Sequence, residues 1–205
     1  VSNRPMLLAW NRLTLYAPHT IYQHHGNKRL LSSLNGHLHL GTVNALVGAS
    51  GTGKSLLLRV LTGRLKSRIA PETRFYTSSH TRVRTSYLSD FDAWLQHSGL
   101  SVRATLTYAS KLSAAAAVVK QKNNSNELIT TLLTGLDLIM HSNEKICYCG
   151  ESVRKRTAIA VEMIIATNLT NTSGASLICL DGYSDVLLER NQAVLRFLRR
   201  FINNH

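Results

Sequence analysis

The stretch that most constrains how this chain folds is GASGTGKSLLLR, residues 48–59. Gly48, Gly53, Lys54 and Ser55 meet the spacing G-x-x-x-x-G-K-[ST], which builds a phosphate-binding loop when a strand precedes it and a helix follows. VNALV, 43–47, is β-branched and apolar and predicts a buried strand, while SLLLRVLTGRL predicts a helix over 55–65. In that setting the backbone amides of Gly48, Ala49, Ser50, Gly51, Thr52 and Gly53 turn inward around phosphate oxygens. Lys54 reaches the terminal phosphates as a point charge, Ser55 offers a hydroxyl to Mg²⁺, and the positive end of the helix faces the anion. Chance alone would place such a match in roughly one in a hundred chains of this length, before the flanking strand and helix are required.

The rest of the composition narrows the setting. A chain of 205 residues with 44% hydrophobic content can bury one good core, which predicts a single domain over 1–205. No run is long and apolar enough to span a bilayer; LSAAAAVV and AIAVEMIIA are too short or carry a charge. The chain does not begin with Met and shows no signal-peptide pattern, so it is expected to be a fragment. Cys147, Cys149 and Cys179 read as reduced thiols, because a C-x-C pair without a second pair lacks zinc spacing. Sequons at Asn123, Asn168 and Asn171 are expected to be unused in a cytosolic ATP-type domain.

Charge is the strongest global feature: 24 Lys and Arg against 11 Asp and Glu give +13, with clusters at Arg64, Lys66 and Arg68, at Arg154–Arg156, and at Arg196, Arg199 and Arg200. Such a field favours a nucleotide, a nucleic-acid backbone or an anionic lipid leaflet; a solvated basic surface is the plain alternative. Aromatics make up 6% and are not interleaved with the basic clusters, which argues against stacking on single-stranded nucleic acid.

Along the chain, RLTLYA at 12–17 and LLSSLNGHLHL predict strands with a turn near Gly41, and RFYTSS and RVRTSYLS are β-leaning. Ser101 predicts an N-cap for the helix SVRATLTYASKL; KQKNNSNE predicts a linker; ELITTLLTGLDLI (127–139) and ESVRKRTAIAVEMIIATNL predict two further helices. SLICLD at 176–181 predicts a buried strand and ERNQAVLRFLRRFI an amphipathic helix. Helices inserted between strands predict an α/β class with a nucleotide-binding core at about 1–95 and 175–205 and a helical subdomain at about 96–174.

These parts in this order resemble the nucleotide-binding domain of ABC transporters, closest to the G (White-type) half-transporters. LNGHLHLGTVNALVGASGTGKS resembles the run into Walker A, SYLSDFDAWLQHSGLSVRATLTYASKL the Q-loop and its helix, GESVRKRTAIAVEMI the signature with its basic extension, and SLICLDGYSD Walker B. The resemblance implies a P-loop NTPase (RecA-like) core with an inserted helical subdomain and an N-terminal antiparallel β part. It further implies ATP and Mg²⁺ as cofactors, a transmembrane domain outside this chain, a second ABC domain as homo- or heterodimer partner, and a place at the cytoplasmic face of a membrane.

Read position by position, the resemblance puts Asp181 where the Walker B aspartate holds Mg²⁺, and Asp90 where the Q-loop glutamine is expected. Gly182 stands at the position of the catalytic glutamate and has no side chain to accept a proton, so no catalytic residue is intact. Leu56 replaces a threonine near the α-phosphate, and Tyr16 is a candidate to stack on adenine, with core packing as its alternative. In the signature, Gly150, Glu151, Ser152 and Val153 stand where Ser, Gly, Gly and Glu belong; a loop opening a helix with Ser152 as N-cap is the plain alternative. Glu151 would meet a partner's γ-phosphate with roughly 3 kcal/mol of repulsion per charge pair at about 5 Å and an effective dielectric of about 20. His205 precedes the segment that carries the family's switch histidine, so the resemblance extends the expected truncation to both ends.

The expectation is therefore an ABC-type ATP-binding domain that binds Mg-ATP and hydrolyses it slowly or not at all. A catalytically inactive, nucleotide-gated interaction module, a soluble P-loop ATPase acting on nucleic acid, and a decaying duplicate are the alternatives.

Overall fold

The computed structural model describes residues 4–17, 28–66, 68–77, 82–89, 97–116, 125–170 and 174–204. Strands β1 (Met6–Tyr16), β2 (Arg29–His39) and β3 (Arg74–Thr77) form an antiparallel sheet in the order β2-β1-β3. Alternation in β1 turns Leu13 and Leu15 to one face, where they meet Leu31 of β2 and Leu57 and Val60 of helix α1 (Lys54–Leu61). Burying each such side chain contributes about 1.5–3 kcal/mol. This small core therefore seats the helix behind the phosphate loop on the hairpin.

Strands β4 (Arg82–Ser89) and β5 (Gly174–Asp181) pair in parallel, from Arg82 opposite Gly174 to Ser89 opposite Asp181. A parallel pair needs a long crossover, and here it carries α2 (Val102–Ala116), α3 (Ser125–Gly135) and α4 (Glu151–Thr170). Ser101 caps α2, its Oγ accepting the Ala104 amide at 3.2 Å. Helix α4 is buried almost all round, through Ala158, Ile159, Ala160, Val161, Met163 and Ile164, because it packs on α2, α3 and the parallel strands together. Helix α5 (Ser184–Asn204) completes the same core with Val194 and Leu198, and Leu88 of β4 belongs to it as well.

The expected strand at 43–47 does not form: these residues belong to no ladder, and Val47 is 89% exposed. A strand exists only beside a neighbour, and no described strand lies along this run, so its apolar pattern has nothing to pair with. Helix α1 stops at Leu61 instead of 65, because the amides of Gly63 and Arg64 return to the carbonyls of Val60 and Arg59 and close the last turn. Helix α3 ends at Gly135 instead of 139; Asp137 turns left-handed (φ 54°), and Leu136 and Leu138 stay buried past the helix end. Helix α4 begins at Glu151, so Ser152 lies within the first turn and is not the N-cap.

Asn168 is 1% exposed, its Nδ2 donating to Ser110 O and Ser113 Oγ, which closes that sequon to glycosylation in the folded chain. Asn123 and Asn171 lie outside the described residues. Among the described residues no helix is long and apolar enough to cross a membrane.

Candidate functional site: the phosphate loop and Asp181

Residues 48–52 are exposed and lead into α1 through Gly53, whose φ is 94°. A Cβ at Gly53 would lie 2.7 Å from Leu31 Cδ2 in the hairpin core, so glycine is required both by backbone conformation and by space. The first turn of α1 has no side-chain cap and no acidic residue, leaving its amides and its positive dipole end open to an anion. Lys54 Nζ donates to Gly48 O at 2.9 Å and Ala49 O at 2.6 Å, and Thr52 Oγ1 donates to Ala49 O at 2.8 Å. The loop is thus closed over its own lysine, and a phosphate would take the place of those two carbonyls. Leu56 packs against the hairpin core, which accounts for an apolar residue there.

Behind the loop, Ser55 Oγ donates to Asp181 Oδ1 at 2.9 Å, joining α1 to the end of β5. Tyr87 stands opposite Cys179 in the parallel register, two residues from Asp181 and on the same face of the sheet. Its hydroxyl donates to Asp181 Oδ2 at 2.6 Å and accepts from Arg59 Nε at 3.1 Å. The Arg59 and Arg64 guanidiniums lie 5.8 and 5.0 Å from the Tyr87 ring centre, within cation–π range. Burial, then the hydrogen bond to Asp181, push the Tyr87 phenol above its usual value and keep it a donor. The hydrogen bond to Tyr87 is the main reason Arg59 is also held above its ordinary value.

Immediately after Asp181 the backbone at Gly182 is left-handed, with φ 79°. Lys155 from α4 reaches this turn: its Nζ donates to Gly182 O and to Asp185 Oδ2, both at 3.1 Å, and pairs with Glu151 Oε1 at 2.9 Å. Lys155 also lies 5.7 Å from the Tyr183 ring centre. Burial alone would raise the Asp185 carboxyl, but the Lys155 hydrogen bond, backbone amides and the ammonium charge hold it below its usual value. Glu151 is turned along its own helix toward Lys155, which offsets part of its charge.

The structure therefore brings the loop, Ser55 and Asp181 together. Tyr16 pairs with Arg29, two residues along β2 from the Leu31 that touches Gly53, which puts it at the end of the hairpin near the loop. Asp90 lies outside the described residues. Sequence reading missed Tyr87, Arg59 and the Lys155 clamp. For Tyr87 the alternation of RVRTSYLS was the one available signal, and it marks only a shared face with Ser89 near the strand end, not the partner.

Comparison with known proteins agrees with this geometry. The family model for ABC transporters matches residues 31–170. ABC transporter G family member 22 of Arabidopsis thaliana is 28% identical over 149 residues, covering 69% of this chain and 20% of that protein. ABC transporter G family member 13 of the same plant is 26% identical over 175 residues, covering 80% of this chain and 25% of that protein. The chain thus spans a quarter or less of the length of these relatives. Among solved structures, an inward-facing conformation of an ABC transporter superposes with a TM-score of 0.54 at 16% identity, covering 93% of this chain and 76% of that one. The ADP conformation of an ATP-binding cassette of an ABC transporter superposes with a TM-score of 0.51 at 15% identity, covering 89% of this chain and 84% of that one. Phosphate loop, inserted helices and the aspartate-ended strand agree with the family match in one conclusion: the chain belongs to the ABC transporter family and has the fold of its ATP-binding cassette.

Proposed function

We propose that this domain binds Mg-ATP at its phosphate loop and, with little or no hydrolysis, couples that binding to transport by a membrane-spanning domain. One observation carries the reading: the Ser55–Asp181 hydrogen bond of 2.9 Å, which unites the loop and the strand-end carboxylate across 126 residues of sequence. Gly48, Ala49, Ser50, Gly51, Thr52, Gly53 and Lys54 would hold the phosphates, with the Leu56 backbone amide and Tyr16 beside the nucleotide. Ser55 and Asp181 supply the hard oxygen donors that suit magnesium, with Asp90 as the third candidate. When bound, the ion neutralises the β- and γ-phosphates.

Gly182 offers no acceptor for a water proton, and Lys155 occupies its carbonyl, which supports slow turnover. The +13 charge supports a place beside the anionic cytoplasmic face of a membrane. The altered signature, 150–153, would face the nucleotide of a second ABC domain paired head to tail, and the described helices α2, α3 and α4, within about 96–174, would make up the helical subdomain that carries it. Gly182 equally favours a second reading, a nucleotide-gated interaction module in which occupancy sets a conformation that a partner reads.

ATP turnover measured beside nucleotide binding tests the proposal. Saturable Mg-ATP binding with turnover near the uncatalysed background is expected. Brisk turnover by the isolated chain would overturn the non-hydrolytic reading.

A further inference from the structure

We propose that Tyr87, braced by Arg59, is a positioning residue for the magnesium site: it fixes the Asp181 carboxylate so that Ser55 presents its lone pairs to the cation. The inference rests on the reading of Ser55 and Asp181 as the magnesium-binding pair. Its basis is the way in which each oxygen of Asp181 is engaged by a different hydroxyl, Ser55 Oγ on Oδ1 at 2.9 Å and Tyr87 on Oδ2 at 2.6 Å. A carboxylate torsion is broad, so a single hydrogen bond leaves the group free to turn. Two donors from two different elements, α1 and β4, hold it in one orientation.

A serine hydroxyl has one proton and two lone pairs. With its proton committed to Asp181, Ser55 keeps its lone pairs for a metal, and the direction of that commitment depends on the carboxylate staying in place. Tyr87 is itself held. Arg59 Nε donates to its oxygen at 3.1 Å, which turns the phenolic proton toward Asp181, and Arg64 Nη2 donates to the Tyr87 carbonyl at 3.3 Å. Together these bonds form a relay from Arg59 through Tyr87 and Asp181 to Ser55, running from the exposed side of α1 to the mouth of the loop.

A packing role for Tyr87 predicts a different outcome, because phenylalanine keeps the ring and its cation–π partners and loses only the hydroxyl. The test is calorimetric titration of the whole chain with ATP, once in excess Mg²⁺ and once in EDTA, for wild type, Tyr87→Phe and Arg59→Gln. Tyr87→Phe is expected to lose about tenfold in affinity with magnesium, the size of one hydrogen bond to a charged group, and to match wild type in EDTA. Arg59→Gln, at an exposed helix position, is expected to lose about threefold in magnesium alone, and it carries the test if Tyr87→Phe does not fold. An unchanged magnesium gain in these variants, or a larger one, overturns the positioning role and leaves the Mg-ATP reading standing. Wild type that shows no gain from magnesium overturns both.

Discussion

Replacing Gly182 by glutamate puts a carboxylate where the family resemblance places a catalytic base, yet the strained turn at this position is expected to keep turnover from rising. Gly182 has φ 79°, and a residue with a Cβ pays about 1–2 kcal/mol in the left-handed region. Leaving that region would swing the carbonyl away from Lys155 Nζ, now 3.1 Å from it. Losing a hydrogen bond from a charged donor costs about 1.5–3 kcal/mol in a buried setting. Lys155 has a side chain only 8% exposed, so little water is available to replace the lost partner. Whichever way the backbone settles, Gly182→Glu is expected to lose about 1–3 kcal/mol of stability. Urea unfolding followed by circular dichroism measures this, with Gly182→Ala as the control that carries the backbone cost without the carboxylate. ATP turnover by both variants is expected to match wild type. A Gly182→Glu protein as stable as wild type that turns over ATP tenfold faster or more would refute the reasoning, because the turn would then accept a base without strain.

Other parts of the structure give further expectations. A Cβ at Gly135 would collide with the Phe197 ring, so Gly135→Ala is expected to cost about 1–3 kcal/mol in urea melts, with partial recovery in the double variant with Phe197→Leu. The Asp185 carboxyl is depressed on balance, so its pairing with Lys155 stabilises the fold above the ordinary value of 3.8 and is lost as pH falls below it; Asp185→Asn should flatten the acid limb of a stability–pH curve. Burial pushes the Cys179 thiol up to about 11 from 9.0. The unfolded chain therefore ionises first, and the stability held in the buried thiol, intact below pH 9.0, falls as pH rises toward about 11; Cys179→Ala should remove that alkaline dependence.

Features that depend on neighbours in sequence were legible, and features that depend on distant partners were not. The Ser101 cap, the helix after the glycine loop and the strand at 176–181 are written in contiguous residues and each has its structural counterpart, although that strand is half-buried except at Cys179. Strand β1 was equally plain, because alternation in RLTLYA needs only one face to bury, whereas its antiparallel pairing followed only from the family resemblance. VNALV failed as a strand because its pattern states that it could be buried, while pairing depends on what lies beside it. The end of α1 was overrun since LTGRL continues the apolar rhythm, and only the turn at Gly63 shows where the hydrogen bonds close. Ser152 lost the N-cap position by two residues, a boundary that periodicity does not fix. The Tyr87–Asp181 contact spans 94 residues and depends on the parallel register of β4 and β5, which no local pattern encodes. Lys155 read as one member of a basic cluster, yet it is buried beneath the turn it holds.

The central claim is that the glycine loop at the positive end of α1 captures a nucleotide through Lys54 while its surroundings lack the means to cleave it. Calorimetry of the wild-type chain with Mg-ATP, beside Lys54→Ala, tests this most directly. Saturable heat for wild type and at least about tenfold weaker binding for Lys54→Ala are predicted, the loss expected for one charge-assisted contact to phosphate. Absence of saturation in wild type, or equal affinity in the two proteins, would contradict it.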